Sequence, residues 1–164
     1  KISIESIIKN KNKIPVVEGR GSIHNILLNG YNIKLIDHSY NANPETMIQS
    51  INSFSKIEKN NFTKILIIGN MNELGLKAID FHFKVIKEIE KHTFDRVILS
   101  GNFLKKALSM FSELKNKYVY RSSSLTIMSY LNKYVHKKAI MMVKCSNQTE
   151  VNKFVKLLKF KIEG

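Results

Sequence analysis

The chain alternates between two hydrophobic periods. Ile23 to Leu28 and Ile33 to Ile36 are short apolar runs joined by Asn29-Gly30-Tyr31-Asn32, which predicts a hairpin. Further on, Met47, Ile51 and Phe54 recur at helical spacing and make one apolar face. Ile65 to Ile68 is then continuously apolar, the mark of a strand covered on both sides. Ile79, His82, Val85, Ile86 and Ile89 mark a helix, Val97 to Leu99 a strand, and Phe103 to Phe111 a short helix. Tyr118 to Tyr120 is a weaker strand, and Leu125, Met128 and Leu131 lie on the next helix. Ile140 to Val143 is the last strand, followed by a closing helix that carries Val151, Phe154, Val155 and Leu158. Strands that alternate with helices imply right-handed βαβ crossovers. The predicted fold is therefore α/β: a three-layer, Rossmann-like domain with a mainly parallel sheet and an N-terminal hairpin. It is expected to occupy residues 16–164. Residues 1–15, with Ile4, Ile7 and Ile8, are expected to be a lead-in helix or the remnant of a preceding domain.

The sharpest break in the pattern lies between Leu35 and Met47, where an apolar strand runs directly into polar residues and a helix start. Asn43 suits the cap of that helix, Pro44 its first position, and Glu45 the positive end of its dipole. Asp37, His38, Ser39, Tyr40 and Asn41 are more polar groups than a turn needs. Three further polar loops follow predicted strands, at Gly69 to Gly75, Ser100 to Asn102 and Lys144 to Asn147. In a parallel sheet such ends share one edge, the default ligand site of an open α/β fold.

Composition narrows the function classes. A chain of 164 residues with 43% hydrophobic content can bury one core. No apolar run approaches the roughly 20 residues that span a bilayer, and nothing N-terminal resembles a signal peptide, so a cytoplasmic location without a membrane partner is expected. The first residue is Lys1 rather than methionine, which hints at an excised domain or a processed fragment. Cys145, at a strand end, is expected to be an inert buried thiol. The net charge of +14 raises the question of nucleic acid. All but Arg20, Arg96 and Arg121 of the 27 basic residues are lysines, scattered among many Ile and Asn, the bias of an AT-rich coding sequence. Specific DNA readers favour the forked guanidinium, so a solvated lysine surface with no specific nucleic-acid partner is the better expectation. The five histidines lack metal-ligand spacing, and His82, on an apolar helix face, is expected to be packed.

Four segments carry a family resemblance. Gly19-Arg20-Gly21, Ser39-Tyr40-Asn41-Ala42-Asn43-Pro44, Ile68-Gly69-Asn70-Met71-Asn72-Glu73-Leu74-Gly75 and Val143-Lys144-Cys145-Ser146, in this order, resemble the C-terminal domain of the Mur ligases over about Val16 to Leu158. Within that family the resemblance is to the branch that adds D-Ala-D-Ala to the UDP-MurNAc-tripeptide. It implies ATP-dependent amide-bond synthesis in peptidoglycan biosynthesis, with roles in cell shape and division. A precursor carboxylate is phosphorylated, and the amine of the incoming dipeptide attacks the acyl phosphate. It also implies two preceding domains, one for the UDP-sugar and one that holds ATP and Mg. The sequence has no Gly-x-x-x-x-Gly-Lys-Ser/Thr loop, so the chain alone is expected to hold no catalytic residue and to be inert. D-Ala-D-Ala, the precursor and the preceding domains are the expected partners, in a monomer.

The resemblance implies roles for single residues. Arg20 matches the Arg that reaches the nucleotide, with Gly19 and Gly21 as a hinge beside it. Asp37 and His38 stand where the family usually has two acids, the second associated with the ribose, so the implied nucleotide set is Arg20, Asp37 and His38. A neutral imidazole bonds one hydroxyl but does not replace a carboxylate that accepts two bonds, so either Asp37 takes over or the contact weakens. Asn41, Asn43, Asn70, Glu73, Lys144 and Ser146 form the implied substrate set. Lys144 would neutralise a carboxylate, and Asn43 serves equally as a plain helix cap. Asn70 stands for the usual Asp, and Cys145 for the usual Gly, which implies a tolerant turn or a distorted loop. Two other readings stay open: a degenerate binding module that has kept the fold and lost the ligase, and a basic polyanion-binding protein.

Overall fold

The hairpin closes on two residues rather than four. In the computed structural model, which describes residues 17–59, 61–110 and 118–163, β1 (Ser22–Leu28) pairs antiparallel with β2 (Tyr31–His38), and Leu28 stands opposite Tyr31. Asn29 and Gly30 alone make the turn, at φ 53° and 79°, the left-handed pair that a two-residue hairpin requires. Tyr31 and Asn32, predicted as loop, therefore open β2. The lead-in segment 1–15 and Phe111 lie outside the described residues.

Four more strands follow, β3 (Thr63–Gly69), β4 (Arg96–Ser100), β5 (Tyr118–Tyr120) and β6 (Ala139–Lys144), in the sheet order β1-β2-β6-β3-β4-β5. All neighbours from β2 to β5 are parallel, so the last strand inserts between the second and third. β3 and β6 are buried at every position, and their side chains alternate between two cores. Ile65, Ile67, Met141 and Val143 meet α4 (Ser124–Tyr134) and α5 (Glu150–Glu163) through Ile127, Leu131, Val151 and Phe154. Leu66, Ile68 and Met142 meet α1 (Pro44–Ser55), α2 (Ala78–Glu90) and α3 (Asn102–Ser109) through Met47, Ile51, Phe54, Ile86 and Leu104. The result is the expected three-layer α/β domain. Each of these large side chains contributes about 1.5–3 kcal/mol by leaving water.

Two apolar positions differ from the sequence reading. Leu125 is 71% exposed, whereas Ser124, Ile127, Met128 and Leu131 form the buried stripe of α4. The Ser123–Thr126 capping box fixes where the helix starts, and Leu125 then falls one position off the stripe. Ile79 is likewise only half-buried, because Ala78 takes the corresponding place on α2.

Two kinds of cation hold the layers together. Lys64 is buried and its ammonium donates to the carbonyls of Ser55 (2.7 Å) and Ile57 (2.5 Å), which satisfies the C-terminal end of α1. Arg96 lies 4.6 Å over Tyr134 and Arg121 4.5 Å over Tyr130, and the two tyrosines stack on each other at 5.6 Å. These two arginines are thus engaged on aromatic faces. Among the described residues no helix is long and apolar enough to cross a membrane.

Gly69 ends β3 where the chain has no room for a side chain. A Cβ there would meet the Cys145 Cβ at 2.6 Å and the Val151 Cγ2 at 2.9 Å, both fully buried. Gly69→Ala is expected to cost about 1–3 kcal/mol, read as a lower urea midpoint at unchanged slope.

Candidate functional site

Asp37 and His38 are consecutive in β2, so the pleat sends their side chains to opposite faces of the sheet. Asp37 is fully buried on the α5 side. One carboxylate oxygen accepts the Ser39 amide at 2.9 Å, and the other accepts the Lys159 ammonium at 2.6 Å. Burial pushes this carboxyl up, but the bonds from Lys159 and Ser39 outweigh it and hold it below the usual range. Both oxygens of Asp37 are therefore taken by the protein itself.

His38 turns toward α1 and stands beside Lys144 in the parallel register. Burial first, and the Lys144 charge second, push its pKa down against the opposing pull of Asp37. The protonated imidazole is thus disfavoured. With Gly19, Arg20, Asn41, Asn43, Thr46, Gln49, Ser50 and Lys144 it lines a cleft of about 320 Å³ at the start of α1. Five residues singled out from the sequence, Arg20, His38, Asn41, Asn43 and Lys144, meet there. Arg20 is exposed and lies 4.5 Å over the Tyr40 ring. Lys144 is 4% exposed, donates to the Asn41 carbonyl at 3.2 Å, and has its pKa lowered by burial. Among the described residues no carboxylate lines the cleft, so two cations and a helix N-terminus face one another across it, a setting for an oxyanion. Asn43 has a structural task as well: its side-chain oxygen accepts the Thr46 amide at 2.8 Å, the expected helix cap.

The remaining candidates sit apart from this cleft. Ser146 joins three loops: its amide donates to the Asn70 carbonyl (3.0 Å), its hydroxyl accepts the Asn72 amide (3.0 Å), and the same hydroxyl donates to the Ala42 carbonyl (3.3 Å). The Asn70 side chain accepts the Leu104 amide at 3.4 Å and faces a separate cleft of about 290 Å³ with Ser100, Asn102 and Glu150. Glu73 is exposed at φ 63° and lines neither cleft. Asp37 lines a third cleft, of about 360 Å³, between the entering chain and α5, with Glu18, Tyr40, Asn152 and Lys159. Cys145 is buried, with burial pushing its thiol up to about 12, as an inert thiol should be. Its φ is not positive, so the turn tolerates the side chain without distortion.

Two residues that organise the site were not among the site residues read from the sequence. His82 accepts the Met71 amide on Nε2 at 2.9 Å, so its proton lies on Nδ1, which donates to the Ala78 carbonyl at 2.6 Å. It anchors the 69–75 loop. Lys159 reaches Asp37 from 122 residues away, a relation that no local pattern displays.

The profile of the family described as "Mur ligase, glutamate ligase domain" matches residues 25–147. The UDP-N-acetylmuramoyl-tripeptide--D-alanyl-D-alanine ligase of Buchnera aphidicola subsp. Acyrthosiphon pisum (strain APS) is 29% identical over 143 residues, covering 86% of this chain and 29% of that protein. A crystal structure of MurF from Acinetobacter baumannii superimposes with a TM-score of 0.73 at 17% identity, over 99% of this chain and 34% of that one. MurF from Thermotoga maritima in complex with ADP gives 0.68 at 20% identity, over 96% and 37%. At these identities the two structures establish the fold. The chain spans about a third of the length of each of these relatives.

Because burial holds His82 below its ordinary pKa of 6.5, the unfolded chain takes up a proton under mildly acidic conditions that the folded chain does not. Stability is full above that value and is lost as pH falls below it. His38 is lowered too and contributes in the same direction. Urea midpoints measured from about pH 7.5 to about pH 5 are expected to decline, with a shallower decline in His82→Gln.

Proposed function

This chain belongs to the family of the Mur ligase glutamate ligase domain, and we propose that it is the C-terminal, substrate-closing domain of an ATP-dependent ligase that joins D-Ala-D-Ala to the UDP-MurNAc-tripeptide. The observation that carries the reading is the convergence of Arg20 and Lys144 on a cleft without a carboxylate, at the mouth of α1. That donor set fits the phosphates of ATP, which supplies, when bound, the phosphoryl group that activates the precursor carboxylate. Arg20, permanently charged and forked, binds phosphate oxygens, while its stack on Tyr40 limits the directions it takes. Lys144, desolvated and with donors to spare beyond Asn41, orients a second anionic group, a substrate carboxylate or phosphate. Neutral His38 serves one ribose hydroxyl. Asp37 supports the site from behind as the counter-ion of Lys159. Asn41 and Asn43 line the same cleft, while Asn70, Glu73 and Ser146 belong to the adjoining loops outside it.

The cleft does not fit magnesium, which demands oxygen ligands and in such sites a carboxylate. The phosphoryl-transfer machinery belongs to preceding domains of the same cytoplasmic, monomeric enzyme, and the 164-residue chain by itself is inert.

A second reading is favoured by one observation, His38 in the position of an acid: the fold persists as a binding module without ligase activity. The full-length gene is expected to rescue growth of a strain that lacks the D-Ala-D-Ala-adding ligase, and failure to rescue would favour the binding module. In the full-length protein Arg20→Ala is expected to raise KM for ATP about tenfold, equivalent to about 1.4 kcal/mol. His38→Asp is expected to tighten ATP binding severalfold in calorimetry, and no change would move the ribose contact away from this position.

A further inference from the structure

The segment that carries Arg20 is held at several points to the end of β2. The Gly21 amide donates to the Asp37 carbonyl at 2.7 Å, and the Tyr40 amide donates to the Gly19 carbonyl at 3.1 Å. Gly19 and Gly21 lie at φ 76° and 91°, and a Cβ on Gly19 would sit 2.9 Å from the Tyr40 amide nitrogen. These glycines are therefore committed to one conformation rather than loose. A side chain from the far end of the molecule completes the arrangement. Lys159, on the closing helix α5, donates to Glu18 at 2.8 Å and to buried Asp37 at 2.6 Å. Glu18 immediately precedes the Gly19-Arg20-Gly21 turn and is largely exposed, whereas Lys159 retains only 15% of its side-chain surface.

We propose that Lys159 is a positioning residue for the anion cleft: it ties the entering segment to the end of β2 and so sets where Arg20 stands. It acts through Glu18 and Asp37 and touches no ligand. The physics is asymmetric between its two bonds. The Asp37 bond neutralises a buried charge that would otherwise keep only the Ser39 amide, so its loss disturbs the very strand end from which His38 and Tyr40 project. The Glu18 bond is exposed and adds little stability by itself, but it restrains the residue two before Arg20. The directions of the pKa shifts agree with this geometry. Burial lowers Lys159, yet the bonds to Asp37 and Glu18 outweigh it and raise the ammonium overall.

The inference rests on the nucleotide reading for its kinetic consequence but not for its structural one, and the test separates the two. In the full-length protein, Lys159→Met is expected to speed hydrogen exchange of the Gly21 and Tyr40 amides about tenfold, followed by mass spectrometry of the segments around 17–24 and 38–43. It is expected to raise KM for ATP about tenfold while kcat changes less than about threefold, with Lys159→Arg restoring both quantities. Glu18→Ala, at an exposed position that leaves the core intact, is expected to reproduce a smaller part of the exchange and KM effects at unchanged melting temperature. Wild-type exchange and KM in Glu18→Ala, or a loss of kcat and KM that Lys159→Arg does not repair, overturns the proposal. If the protein proves to have no ligase activity, the nucleotide reading fails, and the exchange rates alone still decide whether Lys159 holds the Arg20 segment.

Discussion

With β3 and β6 adjacent, parallel and buried at every position, helices must cover both faces of the sheet, and the loops that lead to them must leave from one edge. That constraint decides where chemistry can occur. The β2 loop runs to α1 on one face and the β6 loop to α5 on the other, so a crevice opens between them at the strand ends. Arg20, His38 and Lys144 line it for this reason. The three loops around the crevice are not independent, because the amide and hydroxyl of Ser146, in one of them, bond to the other two.

Three of the polar groups that the core encloses are fully matched, whereas Arg96 Nε, Ser100 Oγ and Asn152 Oδ1 are buried without a hydrogen-bond partner. Asp37 has Lys159 and Ser39, Lys64 has the carbonyls past α1, and His82 has Met71 and Ala78. An unmatched charge in these positions would cost several kcal/mol, so the matching is a condition of folding as well as an ornament of the site. The strict alternation of a strand makes the same pair of residues serve two ends: Asp37 anchors the back of the sheet, and His38 faces the cleft. A carboxylate expected to touch ligand thus becomes a structural counter-ion.

The basic character of the chain takes on a different meaning in three dimensions. Each of the three arginines lies over a tyrosine, and Lys64, Lys144 and Lys159 are buried or nearly so, each with a defined acceptor. Nothing in the linear order of the 24 lysines distinguishes Lys64 and Lys159 from the solvated rest. Burial makes the distinction, since an ammonium withdrawn from water must find oxygen atoms.

Periodicity in the sequence was enough for the alternation of strands and helices, the apolar faces of α1 and α5, the continuous burial of β3, the Asn43 cap and the buried thiol of Cys145. These are local properties: a period of two or 3.6, a cap, a turn pair and a run of apolar residues act within a few positions of themselves. The resemblance in four short motifs added the family, because those motifs all fall at strand ends. The insertion of β6 between β2 and β3, the meeting of Arg20, His38 and Lys144 in one cleft, and the reach of Lys159 to Asp37 were settled only by the tertiary structure. Each depends on which segments, distant in the chain, compete for the same buried surface and the same hydrogen-bonding groups, and that competition is resolved only when the whole sheet has assembled.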